Sequence, residues 1–167
     1  FCDSFNLPIV TLVDSTGFGV ANTFGQAGLA KAGAALLGAL SEATGARIAL
    51  VTGKAVAAAY MALAARTAAD VVYAWPGSVI APLDVPAAVQ VLMNGKLKGQ
   101  PDAEAKRAEL EREYADNIAD GLNAARKGYV DDVIEPAESR LMLVAALEVL
   151  SAKRDTRLPK KHANLPM

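Results

Sequence analysis

Residues 47–75 read RIALVTGKAVAAAYMALAARTAADVVYAW, and this stretch sets the architecture. Arg47 to Thr52 is a short apolar run closed by Gly53, the pattern of a strand covered on both faces. Val56 to Ala65 follows as an alanine-rich helix, and Asp70 to Trp75 as another strand. Upstream, Leu7 to Asp14 (LPIVTLVD) is a β-branched run expected to form a central strand buried on both faces. A loop from Ser15 to Gly25 leads into a helix over Gln26 to Thr44, with Gly45 at its stop. Strand alternating with helix argues for an α/β fold with parallel pairing and right-handed crossovers. Downstream, the charge pattern of Pro101 to Arg126 predicts one long solvated helix. Val130 to Ile134 is a candidate strand and Pro136 to Lys153 a closing amphipathic helix. The tail 154–167 carries Pro159 and Pro166 and is expected to be extended.

With 167 residues, 53% of them hydrophobic, the chain can close one core, so residues 1–167 are expected to form a single domain. Seventeen basic and 18 acidic side chains nearly cancel, leaving no positive field to gather nucleic acid or an anionic membrane. The longest apolar run, Ala55 to Ala65, is too short to span a bilayer. Cys2 is the single cysteine and cannot form an internal disulfide, which fits a cytoplasmic location. The chain opens at Phe1 without a signal peptide and reads as a fragment or a processed chain.

The chemistry of side chains is sparse. One histidine, His162, and one cysteine make neither a nucleophilic triad nor a zinc ligand set, so no metal is expected. Asp131 and Asp132 would point to opposite faces of a strand and are expected to be surface charges. The loop from Ser15 to Gly28, STGFGVANTFGQAG, matches a dinucleotide fingerprint poorly: Gly17 and Gly19 fit, but Asn22 stands at the third glycine position. The junction GKAVAAAY, Gly53 to Tyr60, is more informative. Backbone N–H groups at the head of a helix are unpaired and partly positive, and alanines leave them accessible to an oxyanion. Small residues there also let a helix pack closely on a sheet, and spacing alone favours that plainer role.

Several segments in register resemble one family: FCDSFNLPIVTLVD at the start, SEAT at Ser41–Thr44, YAWP at Tyr73–Pro76, GYVDDVIEPAESR at Gly128–Arg140, and the KR, TR and PKKH-N-P elements of the tail. Together they resemble the C-terminal half of the carboxyltransferase subunits of biotin-dependent acyl-CoA carboxylases and decarboxylases, of the propionyl-CoA carboxylase beta and methylmalonyl-CoA decarboxylase alpha kinds. The resemblance implies a crotonase-like spiral of ββα units with additional helices, and an N-terminal partner domain absent from this chain. It also implies carboxyl transfer between carboxybiotin and an acyl-CoA thioester. Biotin would ride on a partner carrier protein, with a biotin carboxylase or a membrane decarboxylase subunit as a further partner, and the full subunit would form a hexamer.

Carried over by position, the family's R-K-A-Y-G-G-A-Y corresponds to Gly53 through Tyr60. The N–H groups of Ala58 and Ala59 would then form an oxyanion hole for the ureido oxygen of biotin, with Lys54, Ala57 and Tyr60 around it and Met61 near an apolar acyl substituent. The family's V-D-x-P-G-F places Gly17 and Phe18 in the same cavity. This chain departs from the family at Ala57 and Ala58, which replace glycines, after Phe18, and at Ala81–Ala87 (APLDVPA), where Pro82 and Pro86 replace a glycine-rich segment. The departures leave an alternative reading: a non-catalytic scaffold or regulatory paralogue that keeps the fold and the oligomer interface.

Overall fold

The computed structural model describes residues 1–18, 28–97 and 102–156. Five strands form one parallel sheet: β1 (Ile9–Ser15), β2 (Arg47–Val56), β3 (Val71–Ala74), β4 (Val79–Ala81) and β5 (Asp132–Val133). The helices are α1 (Leu29–Glu42), α2 (Ala58–Leu63), α3 (Val85–Leu92), α4 (Asn94–Leu97), α5 (Ala103–Tyr114), α6 (Gly121–Arg126) and α7 (Ser139–Leu150). A π-helical turn, Ala115–Ala119, joins α5 towards α6, and a 3-10 turn, Pro136–Glu138, precedes α7.

β2 organises the sheet. Its first half lies between β1 and β3 in the order β1-β2-β3-β5, and its last residues, Lys54 to Val56, pair instead with β4. Alternation of side chains then builds two layers from one strand. Ala49, Val51 and Ala55 join Val13, Val72 and Ile80 under α2 and α6, whereas Ile48 and Leu50 join Tyr73, Ile134 and Ala146 under α7. A smaller cluster of Ala81, Ala88, Tyr114 and Ala119 ties α3 and α5 to the end of β4.

Four expectations are corrected. β1 is at the edge of the described sheet, where only β2 pairs with it, and Val10 and Leu12 are left 41% and 64% exposed. β2 runs four residues past Thr52, and α2 starts at Ala58 and spans six residues. The added strand length comes from pairing with β4, a strand too short for its pattern to stand out in the sequence. The single helix expected over 101–126 is broken at the π-helical turn and again at Asp120, whose ψ of 141° is extended. Its α5 portion also buries Leu110 and Tyr114, each 1% exposed, so charge on one face concealed a packed second face. Finally, only two residues of 130–134 pair as strand, although Val130 and Ile134 are both buried. The expected extended tail and His162 lie largely outside the described residues.

Among the described residues, buried charge is confined to a network beneath the carboxyl end of α1. Arg47, 6% exposed, donates to Asp70 at 3.1 Å and to the Leu40 and Thr67 carbonyls. Lys153 donates to both Asp70 oxygens at 3.0 Å and to the Gly45 carbonyl. Burial pushes the Asp70 carboxyl upward, but the hydrogen bonds from Lys153 and Arg47 outweigh it and hold the group below its ordinary value.

Candidate functional site

The site forms where β2 ends and α2 begins. Between Val13 and Ser15 the β1–β2 register shifts, so Asp14 opposes more than one residue of β2. Its Oδ1 accepts the Lys54 N–H at 2.9 Å. A Cβ at Gly53 would collide with the same carboxylate, so a side chain there would displace it. The Ser15–Gly17 turn follows, with the Gly17 N–H donating to Ser15 Oγ at 3.3 Å and Gly17 at φ +113°. An added Cβ at Gly17 would lie 3.5 Å from the Val56 carbonyl, so this turn sits against the β2–α2 junction. Phe18 packs against Gly33 of α1: a Cβ there would lie 2.6 Å from its ring.

Ala57 makes the turn with φ 50° and ψ −120°, a conformation that suits glycine and strains alanine. Its N–H donates to the Ala81 carbonyl of β4 at 2.9 Å, and its carbonyl accepts the Met61 N–H at 3.2 Å. The next two amides head α2, and among the described residues neither the Ala58 nor the Ala59 N–H meets an acceptor. They differ in access, since Ala58 is exposed and Ala59 is 0% exposed. The segment from Pro82 to Pro86 does not occupy these amides. Asp84 caps α3 with its carbonyl, and Pro86 falls in the first turn of that helix, where a missing N–H costs nothing. Asp84 also stands 3.4 Å from Lys54 Nζ, which gives that lysine a carboxylate partner.

A cavity of about 410 Å³ opens beside the junction. Ala57, Tyr60 and Met61 line one side, and Ile80, Ala81 and Pro82 the floor. Ile118, Ala124, Lys127 and Tyr129 complete it. The Tyr60 hydroxyl donates to the Tyr129 carbonyl at 2.8 Å, and the two rings meet edge to face at 6.2 Å. Burial pushes the Tyr60 hydroxyl above its ordinary pKa, with Arg66 opposing that rise. Behind Tyr60, Asp131 accepts the Val72 N–H at 2.8 Å and pairs with the Arg66 guanidinium. Asp131 is thus exposed at the surface, as expected from its position, and fully engaged.

The structure therefore brings Gly17, Lys54, Ala57, Ala58, Ala59, Tyr60 and Met61 to one junction, while the Phe18 ring rests on α1. Ile80, Ile118, Ala124, Lys127 and Tyr129 reach the cavity from elements distant along the chain and were not legible in the sequence. The alternation of Gly53 with Asp14 across two strands carried no sequence signal either. Among the described residues no cluster of His, Cys, Asp and Glu could hold a metal ion, and no helix is long and apolar enough to cross a membrane.

Comparison with known proteins identifies the family and the fold. A model of the carboxyl transferase domain matches residues 1–165. The chain is 42% identical to the propionyl-CoA carboxylase carboxyltransferase subunit of Haloferax mediterranei, covering 100% of the chain and 33% of that protein. It is 44% identical to the methylmalonyl-CoA carboxyltransferase 12S subunit of Propionibacterium freudenreichii subsp. shermanii, covering 99% and 32%. The crystal structure of transcarboxylase 12S, described as a hexamer with methylmalonyl-coenzyme A and methylmalonic acid bound, superposes with a TM-score of 0.91 over 100% of this chain and 32% of that one, at 44% identity. The beta subunit of geranyl-CoA carboxylase from P. aeruginosa shares the fold at a TM-score of 0.73 and 24% identity, over 95% and 32% of the two chains. The chain thus spans about a third of the length of the relatives it matches, and its fold is the crotonase-like α/β architecture of these carboxyltransferases.

Proposed function

The chain belongs to the carboxyl transferase domain family, and from that premise we propose that it is the biotin-receiving C-terminal part of an acyl-CoA carboxyltransferase. Carboxyl groups would pass between carboxybiotin on a carrier protein and a CoA thioester held with an N-terminal carboxyltransferase domain. The full subunit would assemble as a hexamer and work with a biotin carboxylase or a membrane decarboxylase subunit.

One observation carries this reading: the amides of Ala58 and Ala59 head α2 without an acceptor among the described residues, beside a cavity wide enough for a small molecule. When carboxybiotin releases its carboxyl group, negative charge grows on the ureido oxygen. Fixed N–H donors stabilise that charge more than they stabilise the ground state, which is what lowers a barrier. The freed biotin nitrogen can then take the α-proton of the acyl group, so the scarcity of basic side chains at the site is no obstacle. Gly17, Lys54, Ala57 and Tyr60 would frame the biotin and Met61 the acyl substituent.

The test removes one donor. Ala58 is the first residue of α2, where proline is tolerated. Ala58→Pro, in the chain combined with an N-terminal carboxyltransferase domain, free biotin and methylmalonyl-CoA, should lower carboxyl transfer by about 10²–10³-fold, with circular dichroism and a thermal melt checking that the Ala57 turn accepts a following proline. Unchanged transfer would remove the proposed role of this amide. A non-catalytic paralogue that keeps the fold is the second reading, favoured by the complete burial of Ala59, which leaves Ala58 as the accessible member of the pair. Absence of turnover with every acyl-CoA would select it.

A further inference from the structure

We infer that Ile118 is a specificity-determining residue of the cavity, limiting how long an apolar acyl portion enters it; the identity of that occupant rests on the function proposed above. The cavity of about 410 Å³ exceeds what a methyl branch fills, and its walls are mainly apolar, with Lys127 the one charged side chain among them. The Tyr60 hydroxyl is committed to the Tyr129 carbonyl. Such a space takes a hydrocarbon, and the side chain that bounds it decides how much.

Ile118 is placed to be that boundary. It stands on the π-helical turn Ala115–Ala119, a geometry uncommon in helices and concentrated at functional sites. The turn is fastened on all sides. The Asn117 side-chain amide donates to the Glu113 carbonyl at 2.9 Å and that of Asn123 to the Asp116 carbonyl at 3.0 Å. Directly after the turn, Asp120 bridges Val79 of β4, and the Gly121 N–H donates to the Ser78 carbonyl at 3.0 Å. Ala119 is buried against this anchor. Its neighbour Ile118 nevertheless remains 37% exposed and lines the cavity together with Met61 and Pro82. A β-branched side chain has few rotamers, so this wall yields little to an incoming chain.

The wall residues named above all belong to this chain, so binding can be measured on it directly. Acyl-pantetheines from acetyl to octanoyl are titrated by calorimetry into the wild type, Ile118→Ala and Ile118→Phe. In the wild type, affinity should rise with each carbon and then level off. Ile118→Ala should raise the octanoyl-to-acetyl affinity ratio about 10-fold and Ile118→Phe lower it about 10-fold. Ile118→Val covers the case in which either larger change unfolds the turn, and its smaller shift must have the sign of Ile118→Ala. The same length profile in all folded variants, or no binding to the wild type, overturns the inference. Carboxyl transfer is assayed separately: a length profile that moves as expected without any transfer sinks the proposed turnover and leaves the assignment of Ile118 standing.

Discussion

Asp14 at the end of β1 accepts the Lys54 N–H of β2 at 2.9 Å, across a register shift that lets one carboxylate serve the turn leading into the site. The space it fills is reserved by Gly53. Gly53→Ala should therefore destabilise the chain by about 1–3 kcal/mol through overpacking. Asp14→Ala should cost about 1–2 kcal/mol by leaving the amide without its acceptor. In the double variant the methyl no longer has a carboxylate to displace, so its cost should be clearly less than the sum. Urea denaturation of the three variants measures this coupling.

Ala57 provides the opposite case. Its φ of +50° strains a residue with a side chain by about 1–3 kcal/mol, whereas glycine adds only about 0.5–1 kcal/mol of unfolded-chain entropy. The strain is the larger quantity, so Ala57→Gly should raise the melting temperature. A fall in melting temperature would show that the methyl contributes packing that outweighs the strain.

The pH dependence of stability follows from Asp70. Its carboxyl lies below the ordinary 3.8 in the folded chain, so it adds stability above that value and loses it as the pH falls through the lower folded value. Wild-type stability should thus decline steeply in acid below 3.8. Asp70→Asn, which cannot titrate, should start less stable and fall less steeply over the same range. Parallel curves from thermal melts at graded pH would place the acid sensitivity elsewhere.

Ser78 is buried, and its hydroxyl has no partner among the described residues. A Cβ at Gly121 would collide with that hydroxyl. Ser78→Ala should be neutral or stabilising, since it removes a desolvated group that makes no hydrogen bond. Gly121→Ala should destabilise by about 1–3 kcal/mol, and much of that loss should vanish when Ser78 is already alanine. Calorimetric unfolding of the four proteins gives the comparison.

How much of this was readable in advance depends on the distance over which each feature is decided. Arg47–Thr52 and Asp70–Trp75 declare themselves because their apolar composition is local, and the family resemblance pointed to the Ala57–Met61 junction through contiguous residues. β1 shared the composition of β2 yet proved to be an edge strand, because hydrophobicity reports a tendency to be covered and not which neighbour does the covering. β4 is only three residues long, so its pairing with Lys54–Val56 depends on tertiary geometry. The break of the 101–126 helix is likewise set by Ser78 and Val79, some 40 residues upstream of Asp120 and Gly121. Ile118, Lys127 and Tyr129 join the cavity only through that break and the sheet pairings around it.

The double allegiance of β2 has a dynamic consequence. Its Ile48–Val51 stretch is flanked by strands on both sides, and its far end is clasped by β4, so neither part of the sheet can peel away while the strand stays in place. Deuterium should enter these amides last, in step with global unfolding, while the exposed flank of β1 exchanges through smaller openings. Slow breathing at the core strand would hold the Ala57 turn steady even as the rim around it fluctuates.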